Sequence, residues 1–92
     1  MLHLKNFMED IVLSLLDDVI KHVGVCSCEE CRLDIVAKAM NNLPPQYFVV
    51  NKGEPLSKLT TLQLVFEEQV IAALTDAAML IKGNPRHHCQ VQ

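Results

Sequence analysis

Apolar residues recur at intervals of three and four positions along the first part of this chain. The positions are Leu4, Phe7, Met8, Ile11, Val12, Leu15, Leu16, Val19, Ile20 and Val23. This spacing places them on one face of a helix. The pattern predicts a first helix from Leu4 to Gly24, because glycine tolerates the left-handed conformation that ends helices. On the solvent-exposed face of this helix, Asp17 lies four residues before Lys21 and can form a weak ion pair with it.

A second helix is predicted after a cysteine-rich loop. It begins at Ser27 or Cys28, and its first turn carries two glutamates, which suit the positive end of the helix macrodipole. It ends before Pro44, because the residue preceding a proline avoids the helical region. Its predicted inward side consists of Leu33, Val36, Ala37 and Met40.

The longest helix is predicted from residues 55–57 to Lys82, with Gly83 ending it. Its apolar positions are Leu59, Leu62, Phe66, Val70, Leu74, Ala77 and Ile81. The segment 70–81 is apolar on nearly every side, which is more than one intramolecular face can use. We therefore expect a second copy to cover the surplus in a two-fold homodimer. The alternative is a monomer wrapped tightly around this helix.

These patterns together predict an all-α fold, with three to four helices in a single domain over residues 1–92. The connector 44–54 contains Tyr47-Phe48-Val49-Val50, a run of residues that favour extended structure. This run either pairs as a minor strand or packs against the helices.

The length and charge of the chain limit the size of its core and the classes of partner that it can bind. A chain of 92 residues buries only about 60 to 65% of its unfolded surface, so a metal or a partner subunit is expected to support its small core. The formal net charge is -3 and no basic stripe is present, which argues against direct binding to DNA or RNA. No window holds the roughly 18 uncharged apolar residues that a membrane span needs.

Three of the four cysteines stand together in residues 26–31, Cys-Ser-Cys-Glu-Glu-Cys, and the fourth is Cys89. A Cys-x-Cys-x2-Cys cluster with one distant partner is typical of four thiolates around a tetrahedral zinc ion. We therefore predict a structural Zn2+ ion bound by Cys26, Cys28, Cys31 and Cys89. His87 and His88 adjoin the last cysteine, and either imidazole can replace one sulfur in a three-cysteine, one-histidine site.

Disulfides are the alternative to a metal. The N-terminus lacks the basic stretch, apolar run and cleavage site of a secretory signal, so we expect a reducing cytoplasm and free thiolates. The spacing Cys28-x-x-Cys31 also suits dithiol redox catalysis, but the two glutamates between the sulfurs disfavour the thiolate, and no strand precedes them. No phosphate loop, nucleophile elbow or zinc deaminase signature occurs in the sequence, so we expect no enzymatic activity.

The cysteine cluster and Cys89 occur together with a characteristic run at residues 32–47, Arg-Leu-Asp-Ile-Val-Ala-Lys-Ala-Met-Asn-Asn-Leu-Pro-Pro-Gln-Tyr. In these three features the chain resembles the bacterial late-competence ComFB family. The resemblance covers most of the chain. Its specific elements are the cysteine spacing and the Asn-x-Leu-Pro-Pro-x-Tyr exit from the second helix. That exit is formed by Asn41, Leu43, Pro44, Pro45 and Tyr47.

The resemblance implies a small, all-helical, dimeric cytoplasmic protein with a cysteine-bound zinc, encoded in some bacteria beside DNA-uptake competence genes. Members of the family, especially cyanobacterial ones, are implicated in binding cyclic dinucleotides and thereby in motility, DNA uptake or cell size. Many relatives lack the cysteines, so metal binding and signalling need not be one function.

Three hypotheses for function follow. The first is a regulatory receptor for cyclic di-GMP or cyclic di-AMP, whose phosphates and bases need cationic or amide donors and a stacking surface. The candidate ligand residues are Arg32, Lys38, Asn41, Asn42 and Tyr47, although each also suits a structural role at a helix end, on a solvent-exposed helix face or in the connector.

The second hypothesis is a non-catalytic adaptor that binds an unidentified protein through surplus apolar helix surface. The third is a thiol or zinc sensor that releases zinc on mild oxidation.

Overall fold

The computed structural model of the chain describes residues 2–51 and 57–83, with side chains from Thr60 onward in the second range. The elements in chain order are β1 (Leu2–Asn6), α1 (Phe7–Val23), α2 (Glu29–Met40), β2 (Tyr47–Asn51) and α3 (Ser57–Gly83). The strands β1 and β2 form a two-stranded antiparallel sheet in which Leu4 lies opposite Val49. The fold is therefore mostly helical, as predicted, but the description all-α was too narrow.

The first helix was predicted to begin at Leu4, and this start was wrong. Asn6 caps α1 instead: its Oδ1 atom accepts a hydrogen bond from the backbone N–H of Met8 at 3.1 Å. The same oxygen accepts the N–H of Gln46 at 2.9 Å, and the N–H of Phe7 donates to the carbonyl of Gln46 at 2.8 Å. These bonds fix the start of the helix and hold the residues before it beside the connector, where they pair as a strand.

The core lies mainly between α1 and α3. The apolar face predicted for α1 is confirmed, since Phe7, Met8, Ile11, Val12, Leu16, Val19 and Ile20 are all buried. Along α3, Val70, Leu74, Ala77 and Ala78 are buried in the same cluster. Each fully buried leucine or isoleucine side chain contributes about 1.5 to 3 kcal/mol of transfer free energy, so this helix pair supplies most of the apolar stabilisation.

The inward face of α2 differs from the predicted one. Cys31, Ile35 and Ala39 are its buried residues, while Leu33 is 60% exposed and Ala37 is also exposed. Val36 and Met40 are only partly buried against the core. The buried residues are spaced four apart, so the inward face starts from the sulfur of Cys31 rather than from the larger aliphatic side chains.

Apolar side chains are also exposed along α3, as the sequence pattern predicted. Leu64, Val65, Met79 and Leu80 are more than half exposed, and Ile71 is 39% exposed. No helix within residues 2–51 and 57–83 combines the length and the apolar content needed to cross a bilayer.

The end of α1 is closed by a glycine, as predicted. Gly24 has φ 78° and ψ 40°, and its N–H donates to the carbonyl of Ile20 at 2.9 Å. The last turn of α3 reaches the same point, because Nζ of Lys82 donates to the carbonyl of Val23 at 2.9 Å. Gly24 therefore starts the turn from α1 into the cysteines.

We expect Gly24→Ala to lower the free energy of unfolding by about 1 to 2 kcal/mol, because a Cβ atom is strained in the left-handed region. Gly83→Ala is the matched control, since Gly83 has no positive φ and, outside its own helix backbone, no atom of the described residues lies within 4 Å of an added Cβ. The control should leave stability unchanged or slightly raised. Urea denaturation of both variants measures the difference, and equal shifts would contradict the assigned role of Gly24.

Candidate metal centre

The segment from Gly24 to Cys28, here called the cysteine loop, joins α1 to α2. Val25 is 8% exposed, and its N–H lies 3.4 Å from the carbonyl of Ile20. This buried valine anchors the loop in the core. On either side of Ser27, Cys26 and Cys28 are half-buried, and Cys31 is buried one turn further along the chain.

The sulfur atoms of Cys26, Cys28 and Cys31 all lie within 4.8 Å of one another. Zn–S bonds of about 2.3 Å in a tetrahedron place the sulfurs roughly 3.8 Å apart. The backbone therefore already brings three of the four predicted ligands close to the separation that zinc requires. Cys89 and the two adjacent histidines lie outside the described residues.

The start of α2 holds two of these cysteines. Cys28 is the N-cap residue, with φ -66° and ψ 162°, and its sulfur accepts the N–H of Cys31 at 3.5 Å. The carbonyl of Cys28 accepts the N–H of Arg32 at 2.9 Å. The unpaired N–H groups of a helix N-terminus stabilise negative charge on sulfur, so this position suits a thiolate ligand.

Burial raises the pKa of the Cys31 thiol to about 11, with further contributions from the hydrogen bond and charge of Cys28 and from the charges of Asp34 and Glu30. Without a metal, this thiol is protonated at neutral pH. A divalent cation that binds here has to displace the proton, so metal binding is coupled to proton release.

The cysteines do not share one oxidation state. Cys26 is disulfide-bonded, whereas Cys28 and Cys31 are not part of a disulfide. The sequence favoured metal over disulfide, but the geometry accommodates either, and Cys26 has to be reduced before it can bind a metal.

A cavity of about 570 Å³ adjoins the cysteine loop. Its lining consists of Asp17, Ile20, Lys21, Gly24, Val25, Ser27 and Arg32. Arg32 forms an ion pair with Asp17 across the α1–α2 contact, so the pairing of Asp17 with Lys21 expected from the sequence is replaced. Sequence reasoning did not identify Lys21 and Ser27 as lining residues, because only the packing of α2 against α1 brings them to Arg32.

The family model described as late competence development protein ComFB matches residues 5–85. This chain belongs to the ComFB family. The competence protein ComFB of Bacillus subtilis (strain 168) is 23% identical over 90 residues, which cover 97% of this chain and 92% of that protein.

A solved structure of the late competence protein ComFB from Bacillus subtilis shares the fold. It matches with a TM-score of 0.73 and 21% sequence identity, over 98% of this chain and 100% of that one. The fold described above is therefore a ComFB fold.

The five ligand residues suggested by the ComFB resemblance do not form one group. Arg32 lies in the first turn of α2 beside α1, whereas Asn41 follows the last residue of the helix, about 13 Å further along its axis at 1.5 Å per residue. Near that end, Nδ2 of Asn42 donates to the carbonyl of Lys38 at 3.1 Å. Tyr47 is exposed at the start of β2. Only Arg32 lines the cavity.

Proposed function

We propose that this ComFB-family chain is a non-enzymatic, competence-related regulatory protein of the cytoplasm, stabilised by one structural zinc ion. The ligands in this proposal are Cys26, Cys28, Cys31 and Cys89. The observation that carries it is the approach of three sulfurs to within 4.8 Å of one another at the start of α2. Four thiolates supply a closed tetrahedral coordination without an open position for substrate, which is the property of a structural site.

The proposed site would stabilise the connection between α1 and α2. Cys31 stands in the same buried row as Ile35, so a metal there ties the cysteine loop to the core through α2. Apparent binding energies of structural zinc are on the order of 10 kcal/mol and become folding energy when the empty site is disordered. A small domain with a marginal core gains most from such a ligand.

The exposed apolar stripe of α3 supports a homodimer. Leu64, Ile71 and Met79 are separated by seven and eight residues and so share one side of the helix. Beside them, a cavity of about 300 Å³ lies between α1 and α3. Its lining consists of Leu15, Asp18, Val19, His22, Ile71 and Thr75. We infer that the same stripe of a second copy covers this surface. If the chain is instead monomeric, the surface fits the adaptor hypothesis, with an unidentified protein as occupant.

The cavity beside the cysteine loop supports a cyclic dinucleotide as a candidate ligand. Its volume of about 570 Å³ lies within the range of roughly 300 to 1,000 Å³ that is typical of small-molecule sites. Lys21 and Arg32 offer positive charge to phosphates, and Ser27 offers a hydroxyl. Arg32 would exchange its ion pair with Asp17 for a phosphate, which its planar donor group binds in two-point geometry.

The zinc proposal predicts about one zinc ion per chain in a native mass spectrum of protein purified under reducing conditions. Cys28→Ser and Cys31→Ser should lose the ion and melt at a lower temperature, because each removes a ligand. Ser27→Ala in the same loop is the control and should retain the ion. A metal-free wild-type chain whose melting is unaffected by chelators and added zinc would contradict the proposal.

Replacement of Cys89 separates the two ligand sets left open by the sequence. Loss of zinc from Cys89→Ser equal to that in Cys28→Ser indicates four cysteine ligands. Partial retention that disappears when His87 and His88 are also changed to alanine indicates substitution by an imidazole.

The homodimer predicts that Met79→Glu weakens association by at least about 100-fold, because a buried unpaired carboxylate costs several kcal/mol. Leu33→Glu is the matched control, since Leu33 is an equally exposed leucine on α2. Sedimentation velocity at micromolar concentration measures both variants. A wild-type monomer, or dissociation of the control alone, would show that the α3 stripe is not the interface.

The nucleotide proposal predicts that cyclic di-GMP or cyclic di-AMP binds the wild-type chain in equilibrium dialysis. Arg32→Ala should weaken binding by about 10 to 100-fold, the usual cost of a charged hydrogen bond. Lys38→Ala at the other end of α2 should leave the affinity unchanged. Retention of neither nucleotide at micromolar concentration would remove this ligand class, and equal losses in both variants would place the ligand elsewhere.

A further inference from the structure

We propose that Lys82 is a positioning residue for the metal centre, which holds the cysteine loop in the conformation that brings the sulfurs together. Lys82 is not a metal ligand and acts on the loop through the last peptide group of α1. This inference rests on the proposed zinc site and assigns to it a residue from the far end of the described chain.

The ammonium group of Lys82 caps the C-terminal end of α1. Its Nζ atom donates a hydrogen bond to the carbonyl oxygen of Val23 at 2.9 Å, across 59 positions of the sequence. Val23 is the last residue of α1, and the last four carbonyl groups of a helix have no partner within the helix. These carbonyls form the negative end of the macrodipole, which a cation stabilises. Lys82 therefore supplies from α3 both a donor and a positive charge to this end of α1.

The peptide group between Val23 and Gly24 is held on both sides. Its carbonyl accepts the bond from Lys82, and its N–H donates to the carbonyl of Ile20 at 2.9 Å. Because a peptide group is planar, the two bonds together fix its orientation. Glycine has no side chain that restricts its backbone, so the φ of 78° at Gly24 depends on such contacts. The ammonium group also lies 3.7 Å from the position of an added Cβ at Gly24.

The conformation at Gly24 determines where the cysteine loop begins, two residues before Cys26. The sulfurs of the cluster lie within 4.8 Å of one another, and metal–ligand distances in a site are held to within about 0.2 Å. A rotation of the peptide group before Gly24 displaces the first ligand by more than this tolerance. A contact that fixes the peptide group therefore raises the affinity of the site for a metal.

The backbone that carries Lys82 is itself anchored in the core. Ala77 and Ala78 are buried one turn before it, and Ile81 is partly buried against the core. The lysine side chain is exposed, but it starts from a fixed point and so reaches a defined place. Lys21, in the last turn of α1 itself, instead lines the cavity beside the loop. The donor to the last carbonyl of α1 therefore comes from α3.

The test compares zinc affinity among variants of the whole chain under reducing conditions. A chelator of known affinity competes for the zinc, and amide hydrogen exchange is followed at Gly24. We expect Lys82→Met, which removes the charge and the donor but keeps the aliphatic stem, to weaken zinc binding about 3 to 10-fold, the usual effect of one hydrogen bond. It should also accelerate exchange at Gly24. Lys82→Arg keeps the charge and the donors, and it should bind zinc as the wild type does.

Two control variants separate positioning from a general loss of stability. Ile11→Val shortens a fully buried side chain of α1, about 20 Å from Gly24 at 1.5 Å per residue, and destabilises the core. Lys38→Met removes an exposed lysine from the last turn of α2. Both controls should retain the zinc affinity of the wild type.

The outcomes distinguish this inference from the zinc proposal. Reduced wild-type protein without zinc removes the zinc site and the positioning role together. If the wild type holds zinc and Lys82→Met has the same affinity, the positioning role alone is overturned. An equal loss of affinity in Ile11→Val also overturns it, because the effect then belongs to overall stability. An equal loss in Lys82→Arg does so as well, because the charge and the donor are then not the cause.

Discussion

The turn from α1 to α2 is the constraint on which the rest of this molecule depends. Gly24 reverses the chain in a left-handed conformation, Val25 fixes the loop in the core, and Cys28 starts the next helix as its cap. These three residues determine where the sulfurs lie. The end of α3 is held at the same point by the bond from Lys82 to Val23, so all three helices meet beside the cysteines.

Charged groups of both signs surround this turn. Within the described residues, no charged residue is buried as a whole, although Oδ2 of Asp10 is buried, so most charge interactions are screened by solvent. Lys21 and Arg32 line the cavity beside the loop, and the ammonium group of Lys82 lies close to Gly24. For Cys31 the resolved charges disfavour the thiolate, since Asp34 and Glu30 both raise its pKa.

Much of the helical architecture could be predicted from the sequence, because the apolar spacing of α1 and α3 is a local signal that the core then uses. The start of α1 could not be predicted in the same way. Leu4 continues the helical spacing, but it also belongs to the alternating run of β1, and only its pairing with Val49 decides between the two. Strand pairing between residues so distant in sequence leaves little local trace.

The candidate site could likewise be predicted only in part from the sequence. The three clustered cysteines are neighbours in sequence, so their approach could be predicted from spacing alone. The inward face of α2 could not, since aliphatic residues occur on more than one side of this short helix and the burial of Cys31 selects the row that continues to Ile35. The cavity depends on the contact of Arg32 with Asp17, which joins separate helices and has no signature in the sequence.

The cysteine loop and the cavity are parts of one structural unit, and this has a thermodynamic consequence. Val25 and Ser27 line the cavity and alternate along the chain with Cys26 and Cys28. A cavity ligand and a metal that both favour the same conformation of this loop therefore raise each other's affinity by the same factor. The coupling requires no long pathway, because the two sets of residues are adjacent in the sequence and their side chains alternate along one short segment.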